Sequence, residues 1–218
     1  MRGSISMSKA VSAREAQSLR IREALLNACG DLLSKQPIDA ITINNIVETA
    51  GVAKGSFYNH FPDKEALAAE VSSAIRAELE ALVADANRNV TDPAYRMVRG
   101  MCIHLQLAVA DPRRAIIMLR GADWSTAAGN PLNEGIKADI ADGLASGRFE
   151  PRCEDAGVIQ VIGAVFFTML RIIEEELSSE RAIDLATRVF TLLFCGFGLR
   201  EDEATRIVSD SARDLIKA

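Results

Sequence analysis

The segment from Thr42 to Lys64, TINNIVETAGVAKGSFYNHFPDK, constrains the fold more than any other part of the chain. Its first part carries apolar residues at the i, i+3, i+4, i+7 spacing of one helical face: Ile43, Ile46, Val47 and Ala50. Thr42 stands where an N-cap belongs, and Gly51 can take the left-handed conformation that ends a helix. The pattern therefore predicts two short helices joined by a tight turn.

The second of these helices differs in its charge. From Thr49 to Pro62 the chain contains no Asp or Glu. Phe57 and Phe61 are expected to pack on the first helix, which leaves the polar side chains between them for other faces. Carboxylates are unfavourable on a surface that approaches phosphates, so this composition suits contact with DNA.

The sequence GVAKGSFYNHFPDKEAL resembles the helix-turn-helix signature of the TetR family of bacterial transcriptional regulators. The motif resemblance covers roughly residues 21–67, and beyond it only length and helical pattern are similar. It implies an all-α fold of about nine to ten helices. It also implies a flexible N-terminal arm (1–17), a three-helix DNA-binding domain (18–65), and a helical ligand-binding and dimerisation domain (66–218).

The residues of the motif acquire roles from this resemblance. Lys54 and Asn59 are expected to read base edges, since Lys donates to guanine and Asn pairs with adenine. Gly55 is expected to let the backbone approach DNA closely, and most of the other polar residues to hold phosphates. The complete predicted set is Thr42, Asn44, Lys54, Gly55, Ser56, Tyr58, Asn59, His60 and Lys64.

Two positions depart from the family pattern. Ala53 stands where a serine commonly caps the recognition helix, which forgoes a cap worth about 1 kcal/mol. Val47 replaces a smaller alanine where two helices cross. A phosphate can satisfy the uncapped N–H groups in a complex, so DNA binding remains the expectation.

Two long helices are predicted near the C-terminus, at about 155–177 and 179–199. Val158 to Ile173 is apolar nearly all round, which indicates burial on more than one side. This apolar run is too short to span a bilayer. The resemblance implies that both helices form a C2 dimer interface, so that a homodimer reads a near-palindromic operator. The predicted interface residues are Val158, Ile162, Val165, Phe190, Leu193, Phe194 and Phe197.

The resemblance also implies a ligand pocket in the larger domain. The predicted lining residues are Met97, Met101, His104, Met118, Trp124, Phe166, Phe167 and Met169. A methionine and aromatic stripe is also typical of an ordinary core, and His104 is also compatible with a satisfied core histidine. No basic cluster in this region demands an anion, so the expected effector is an apolar or amphipathic small molecule.

Charge and cysteine usage fit this interpretation. Residues 1–62 carry seven Lys/Arg and five Asp/Glu, whereas the remainder carries 18 and 25. The basic end therefore coincides with the helix-turn-helix. The four cysteines form no CxxC pair, and residues 1–17 lack the apolar centre of a signal peptide. A reducing cytoplasm is the expected location, and no metal or cofactor is expected.

Two other function classes remain to be weighed. An enzyme is disfavoured because the chain has two histidines and lacks an HExxH, a GxSxG, a phosphate loop or a dinucleotide fingerprint. The alternative is a family-derived coactivator or scaffold that acts through protein partners. The intact helix-turn-helix speaks against it, since a protein adaptor has no need of an acid-free helix. The prediction is a sequence-specific DNA-binding regulator, a repressor that a small molecule releases from its operator.

Overall fold

The computed structural model describes residues 4–121, 133–150 and 154–217, with side chains from Arg14 onward and, after the second gap, from Ala156. Ten α-helices and a 3₁₀ turn at Ile38–Ala40 lie in these ranges, which contain no β-strand. This confirms the predicted all-α fold. The helices are α1 (Ser4–Leu33), α2 (Ile43–Ala50), α3 (Lys54–Tyr58), α4 (Lys64–Ala86), α5 (Pro93–Ala110), α6 (Pro112–Gly121), α7 (Glu134–Ala145), α8 (Glu154–Glu174), α9 (Ser179–Gly196) and α10 (Glu201–Leu215).

The chain divides into two compact units. The first extends to Ser73 and includes Arg120 and Gly121 at the end of α6; the second contains Ala74–Leu119 and the described residues after 132. The boundary thus falls inside α4, later than the domain boundary predicted after residue 65. No proline or glycine interrupts α4, so one helix serves both units.

The first helix is longer than the sequence predicted. It begins at Ser4 rather than near Ser18, so residues 4–17, expected as part of a flexible arm, belong to α1. No proline or glycine occurs between Ser4 and Cys29, and nothing in that stretch therefore breaks a helix. The prediction near Ser18 was wrong because it followed the apolar stripe, which starts only there.

An aromatic cluster lies in the core of the second unit. Phe149, from the connector after α7, packs against Phe194 and Phe197 at ring-centroid distances of 6.3 and 5.1 Å. Phe194 and Phe197 stack at 5.5 Å, and both are fully buried, as is Phe190. The assignment of these three α9-region phenylalanines to a dimer interface was therefore wrong, because their own chain already covers them.

The tight fit around Phe149 yields a stability prediction. A Cβ added at Gly143 would lie 2.0 Å from the Phe149 ring, so we expect Gly143→Ala to lower the free energy of unfolding by about 1–3 kcal/mol through overpacking. Gly135→Ala is the control on the same helix, because its Cβ would meet nothing closer than 3.9 Å. Urea denaturation measures both. Equal stability of the two variants would contradict the packing described.

The outer side of α8 and α9 carries exposed apolar residues. Ile159, Phe167 and Leu192 are 66%, 76% and 76% exposed. Cβ atoms added at Gly163 and Gly196 would meet nothing within 4 Å. We call these five residues the α8–α9 face. Val158 and Val165, predicted for the interface, are instead buried within the chain, while Ile162 and Leu193 are half-buried.

The length of α8 also corrects an expectation. The helix from Ala156 to Glu174 is long and apolar enough to cross a membrane by composition, so the statement that its apolar run is too short does not hold for the whole helix. Composition alone is weak evidence for a membrane span. In the second unit α8 packs against α5, α7 and α9, which accounts for apolar residues on several of its sides.

Candidate nucleic-acid interface and ligand cavity

Local hydrogen bonds fix the start of α2. The Thr42 hydroxyl accepts from the Asn45 N–H (3.1 Å), and the Asn45 side-chain oxygen accepts from the Thr42 N–H (3.0 Å). This reciprocal pair is a capping box, here with Asn rather than Glu or Gln at the third position. The predicted N-cap is confirmed. The hydroxyl also donates to Asn45 (2.6 Å), so it already has partners within the chain.

The turn after α2 sets the position of α3. Gly51 has φ +67°, in the left-handed region that favours glycine, and the next residue, Val52, donates its N–H to the Val47 carbonyl at 3.0 Å. α3 then runs from Lys54 to Tyr58. Asn59 is its C-cap. Ala53 is the N-cap of α3 and makes no side-chain hydrogen bond to the helix, as predicted for an alanine.

Packing of α3 leaves its polar side outward. Phe57 is fully buried, and Phe61 lies 6.1 Å from it between ring centroids. Tyr58 sets its ring edge-on to Phe57 at 5.4 Å yet remains 54% exposed. Of the nine predicted DNA contacts, those exposed to solvent are Thr42, Asn44, Lys54, Gly55, Tyr58 and Asn59, and those half-buried are Ser56, His60 and Lys64.

An open groove brings part of this set together. Thr42, Asn44 and Lys54 line it, so the start of α2 and the start of α3 share one surface. Carboxylates also line the groove: Asp39, Asp63 and Glu65. The groove therefore borders the acid-free stretch on one side and these carboxylates on the other. A phosphate is favoured near Thr42 and Lys54, away from the carboxylates.

Lys64 has a structural role that its sequence position did not reveal. Its ammonium donates to the carbonyls of Ile38 (2.9 Å) and Ile41 (2.8 Å), on the segment that leads into α2. The contact joins the start of α4 to that segment. Its predicted contribution to phosphate binding stays a prediction, since much of its hydrogen-bonding capacity is used within the first unit.

Further contacts hold the first unit together. Arg22 of α1 pairs with Glu70 of α4 at 2.6 Å, and its guanidinium carbon lies 5.2 Å from the Phe61 ring centroid. The Arg120 guanidinium donates to the Leu33 carbonyl at 2.9 Å. A Cβ at Gly121 would approach the Ala68 carbonyl to 2.6 Å. The end of α6 is thus closely packed on α4.

A cavity lies in the second unit between α4, α5, α7 and α8. It holds about 80 Å³ of space for the centre of a water-sized sphere, several times the room of about 10–15 Å³ that one water needs. Its apolar wall comes from all four helices. The apolar side chains are Val83, Met97, Met101, Ile136, Val161, Ile162, Val165 and Phe166.

Only some of the residues predicted for a ligand pocket line this cavity. Met97, Met101, His104 and Phe166 line it. Met118 and Met169 do not; both are fully buried in the core. Phe167 is 76% exposed on the α8–α9 face, so its assignment to a pocket was wrong. Trp124 lies outside the described residues.

Charged residues that the sequence analysis did not select also line the cavity. They are Arg76 and Glu80 of α4, Arg96 of α5 and Asp139 of α7. Arg76 donates to the Asn133 side-chain oxygen at 2.7 Å, and Arg96 pairs with Asp139 and Asp142 at 2.6 Å each. Burial lowers the pKa of Arg76, with the nearby Glu80 charge opposing the shift. In the sequence, only the spacing of Arg76 and Glu80, one helical turn apart, could have indicated that these two charges lie close together.

His104 makes one hydrogen bond, through its Nδ1 atom. Its Nδ1 lies 2.9 Å from the Gly100 carbonyl oxygen. A carbonyl can only accept, so Nδ1 carries the hydrogen. Burial lowers the pKa of His104 below its ordinary value of 6.5, and the Arg76 charge acts in the same direction. The ring is therefore neutral at neutral pH, with its Nε2 lone pair available.

This lowered pKa predicts a pH-dependent stability. Below about pH 6.5 the unfolded chain binds a proton at His104 that the folded chain does not, so stability falls as the pH drops through that value. We expect urea denaturation at about pH 7.5 and about pH 5.5 to show a smaller acid-induced loss for His104→Gln than for wild type. If the two proteins lost equal free energy over this interval, the lowered pKa of His104 would be contradicted.

Two cysteines of the described residues are buried thiols. Burial raises the pKa of the Cys29 and Cys102 thiols to about 12 each, which makes both unreactive. Among the residues that the structure describes, no three His, Cys, Asp or Glu side chains form a group able to hold a metal ion.

Comparison with known proteins gives matches to the first unit. A profile described as "Bacterial regulatory proteins, tetR family" matches residues 25–71. The HTH-type transcriptional regulator LmrA of Bacillus subtilis (strain 168) is 36% identical over 74 residues, which are 34% of this chain and 39% of LmrA. The chain thus aligns with well under half of that relative's length.

Two further matches extend over most of the chain. The HTH-type transcriptional repressor BepR of Brucella suis biovar 1 (strain 1330) is 23% identical over 191 residues, covering 84% of this chain and 81% of BepR. The crystal structure of RolR in complex with resorcinol superposes with a TM-score of 0.63 at 20% identity, covering 89% of this chain and 96% of RolR. At that identity the structural likeness shows the fold alone.

Proposed function

We propose that this chain is a member of the TetR family of bacterial regulatory proteins, whose profile matches its first unit, and that it represses transcription by binding an operator as a homodimer. A small molecule in the cavity of the second unit lowers its affinity for that operator. The observation that carries the proposal is the exposed, acid-free surface of α3, set beside the capped start of α2.

DNA recognition is assigned to this surface by its chemistry. Lys54 and Asn59 are exposed and offer the donors and acceptors that read guanine and adenine edges in the major groove. Tyr58, Ser56 and Asn44 offer neutral polar groups for phosphates. The uncapped N–H groups at the start of α3 favour a phosphate oxygen as their partner.

Dimerisation is assigned to the α8–α9 face. Phe167 and Leu192 expose large apolar side chains, and Gly163 and Gly196 leave room for another helix to approach. A second copy of the same face would cover these groups and form a four-helix contact with two-fold symmetry. Two recognition helices about 34–36 Å apart would then meet successive turns of a near-palindromic site.

Ligand control is assigned to the cavity because it is largely apolar, with a few converging polar groups. RolR, whose fold is similar, was crystallised with resorcinol, and another protein of similar fold, 18% identical with a TM-score of 0.58, is described as a gamma-butyrolactone receptor. Both names point to small organic effectors. We extend that class to this chain, which acts on DNA in the cytoplasm.

The alternative is a family-derived coactivator or scaffold that works through protein partners. The discriminating test is selection of duplexes from a random library, followed by fluorescence anisotropy at two salt concentrations. We expect enrichment of a near-palindromic site and binding that weakens steeply with salt. If no sequence were enriched, the proposal of sequence-specific DNA binding would be contradicted and the protein-partner alternative favoured.

A further inference from the structure

The Lys64 ammonium is bonded within the first unit instead of extending into solvent. It donates to the carbonyls of Ile38 (2.9 Å) and Ile41 (2.8 Å), and the Lys64 side chain is only 22% exposed. Among the described residues, Glu65 has the only carboxylate within 4 Å of this ammonium, at 3.7 Å. An ammonium has three hydrogens, so two of them are already committed to the backbone of the same chain.

The Ile41 carbonyl depends on this bond. Ile41 is fully buried, so its carbonyl is out of contact with water. Within the described part of the chain, Lys64 is the only hydrogen-bond donor to that carbonyl. A buried carbonyl without a donor costs free energy comparable to a lost hydrogen bond. Movement of the ammonium to a phosphate would therefore leave the Ile41 carbonyl unpaired.

The residue after Ile41 starts α2. Thr42 is its N-cap and forms the capping box with Asn45, and Asn44 lies in the first turn. Thr42 and Asn44 line the groove that Lys64 also lines. The backbone at Ile41 sets the position from which α2 begins, and with it the positions of these two predicted DNA contacts. Lys64 fixes that backbone from the start of α4.

The two lysines of this groove differ in their bonding. Lys54 is exposed and makes no hydrogen bond or ion pair with any described residue. Its ammonium is therefore available to a phosphate or a base edge. Lys64 lines the same groove, but its ammonium is bound to backbone carbonyls. The two lysines are thus equipped for different tasks.

We infer that Lys64 is a positioning residue for DNA binding. It holds the entry to α2 so that Thr42 and Asn44 meet the DNA, and it does not itself bind a phosphate. This inference rests on the proposed DNA binding. It differs from the phosphate contact that the family resemblance implies for Lys64.

Hydrogen exchange of the free full chain, followed by NMR, tests the positioning role without DNA. Lys64→Met keeps the apolar stem and removes the ammonium. We expect the amide hydrogens of Asn45 and Ile46, which donate to the Thr42 hydroxyl and carbonyl, to exchange about tenfold faster in this variant. Lys35→Met is the matched control, an exposed lysine of the same unit outside the groove, and it should leave both rates unchanged. Unchanged rates in Lys64→Met would overturn the inference.

A double-mutant cycle tests whether Lys64 acts on DNA through the start of α2. Lys64→Met should weaken binding to the selected operator about tenfold in the wild-type chain, but less than about threefold in a Thr42→Val chain, which has already lost the capping box. In a Tyr58→Phe chain, which is altered on α3, the loss should again be about tenfold, because the two sites are independent. A full loss in both variant chains would indicate a separate phosphate contact and overturn the inference. Equally reduced losses in both would indicate a general loss of structure and overturn it as well.

The wild-type protein supplies a test that needs no variant. In NMR spectra of the lysine ammonium groups, the Lys64 signal should already be protected from rapid exchange in the free chain and should not move when operator is added. The Lys54 signal should change on the same addition. A Lys64 signal that appears or moves only with operator would overturn the inference. A chain that enriches no duplex would contradict the proposed function, whereas operator binding with unchanged exchange at Asn45 in Lys64→Met would contradict this inference alone.

Discussion

Replacing Lys54 by methionine should lower the affinity of the chain for its selected operator by about 1–3 kcal/mol per subunit, because one good base contact contributes that much. In a dimer the loss applies at two half-sites, so the total is about 2–6 kcal/mol, or roughly 30-fold to more than 10⁴-fold. The change should also relax sequence preference at one base pair in each half-site. Fluorescence anisotropy with the operator and its single-base variants measures both effects.

Tyr58→Phe separates phosphate binding from base reading. It keeps the edge-on packing against Phe57 and removes only the exposed hydroxyl. We expect a similar loss on every DNA sequence, without a change in preference. Lys35→Met is the control for charge, since it removes an exposed lysine of the first unit outside the predicted interface. If Lys35→Met weakened binding as much as Lys54→Met, the assignment of α3 to DNA would be wrong.

A glutamate at position 167 should convert the protein into a monomer. Phe167 is 76% exposed on the α8–α9 face, and burial of two added carboxylates at a two-fold contact would cost several kcal/mol. Light scattering after size-exclusion chromatography should give twice the chain mass for wild type and the chain mass for Phe167→Glu. Operator binding should weaken at least 100-fold, because each half-site then binds independently.

Leu82→Glu is the matched control for this change. Leu82 is also an exposed large apolar residue of the second unit, at 57%, but it lies on α4, away from the α8–α9 face. The Leu82→Glu variant should remain dimeric and bind the operator with the affinity of wild type. A wild-type chain of monomeric mass at micromolar concentration would contradict the dimer proposal directly.

Sequence patterns were most informative where a structure depends on local bonds. The N-cap at Thr42 and the left-handed Gly51 follow from groups a few residues apart, and the structure has both. The start of α1 was missed because helix formation needs no apolar stripe.

The larger unit was harder to predict because an apolar stripe does not tell what will cover it. Phe194 and Phe167 belong to similar patterns, yet one is fully buried by its own chain and the other is exposed. Phe194 packs against Phe149, which lies in a connector whose sequence has no helical periodicity of apolar residues. Arg76 and Glu80 appeared as ordinary charges of a long helix, and only tertiary structure places them at the cavity.

The adjacent phenylalanines of α8 lie on two different surfaces of the second unit. Phe166 lines the cavity and Phe167 lies on the α8–α9 face, although they share a peptide bond. In the proposed dimer, a rotation of α8 that accommodates a bound molecule at Phe166 also moves Phe167 against the second copy. Thermodynamic reciprocity then fixes a relation that can be read from either side. In such a dimer each bound effector changes the dimerisation constant by the same factor by which dimerisation changes the affinity of its site, so the concentration at which the subunits separate reports how many sites are occupied.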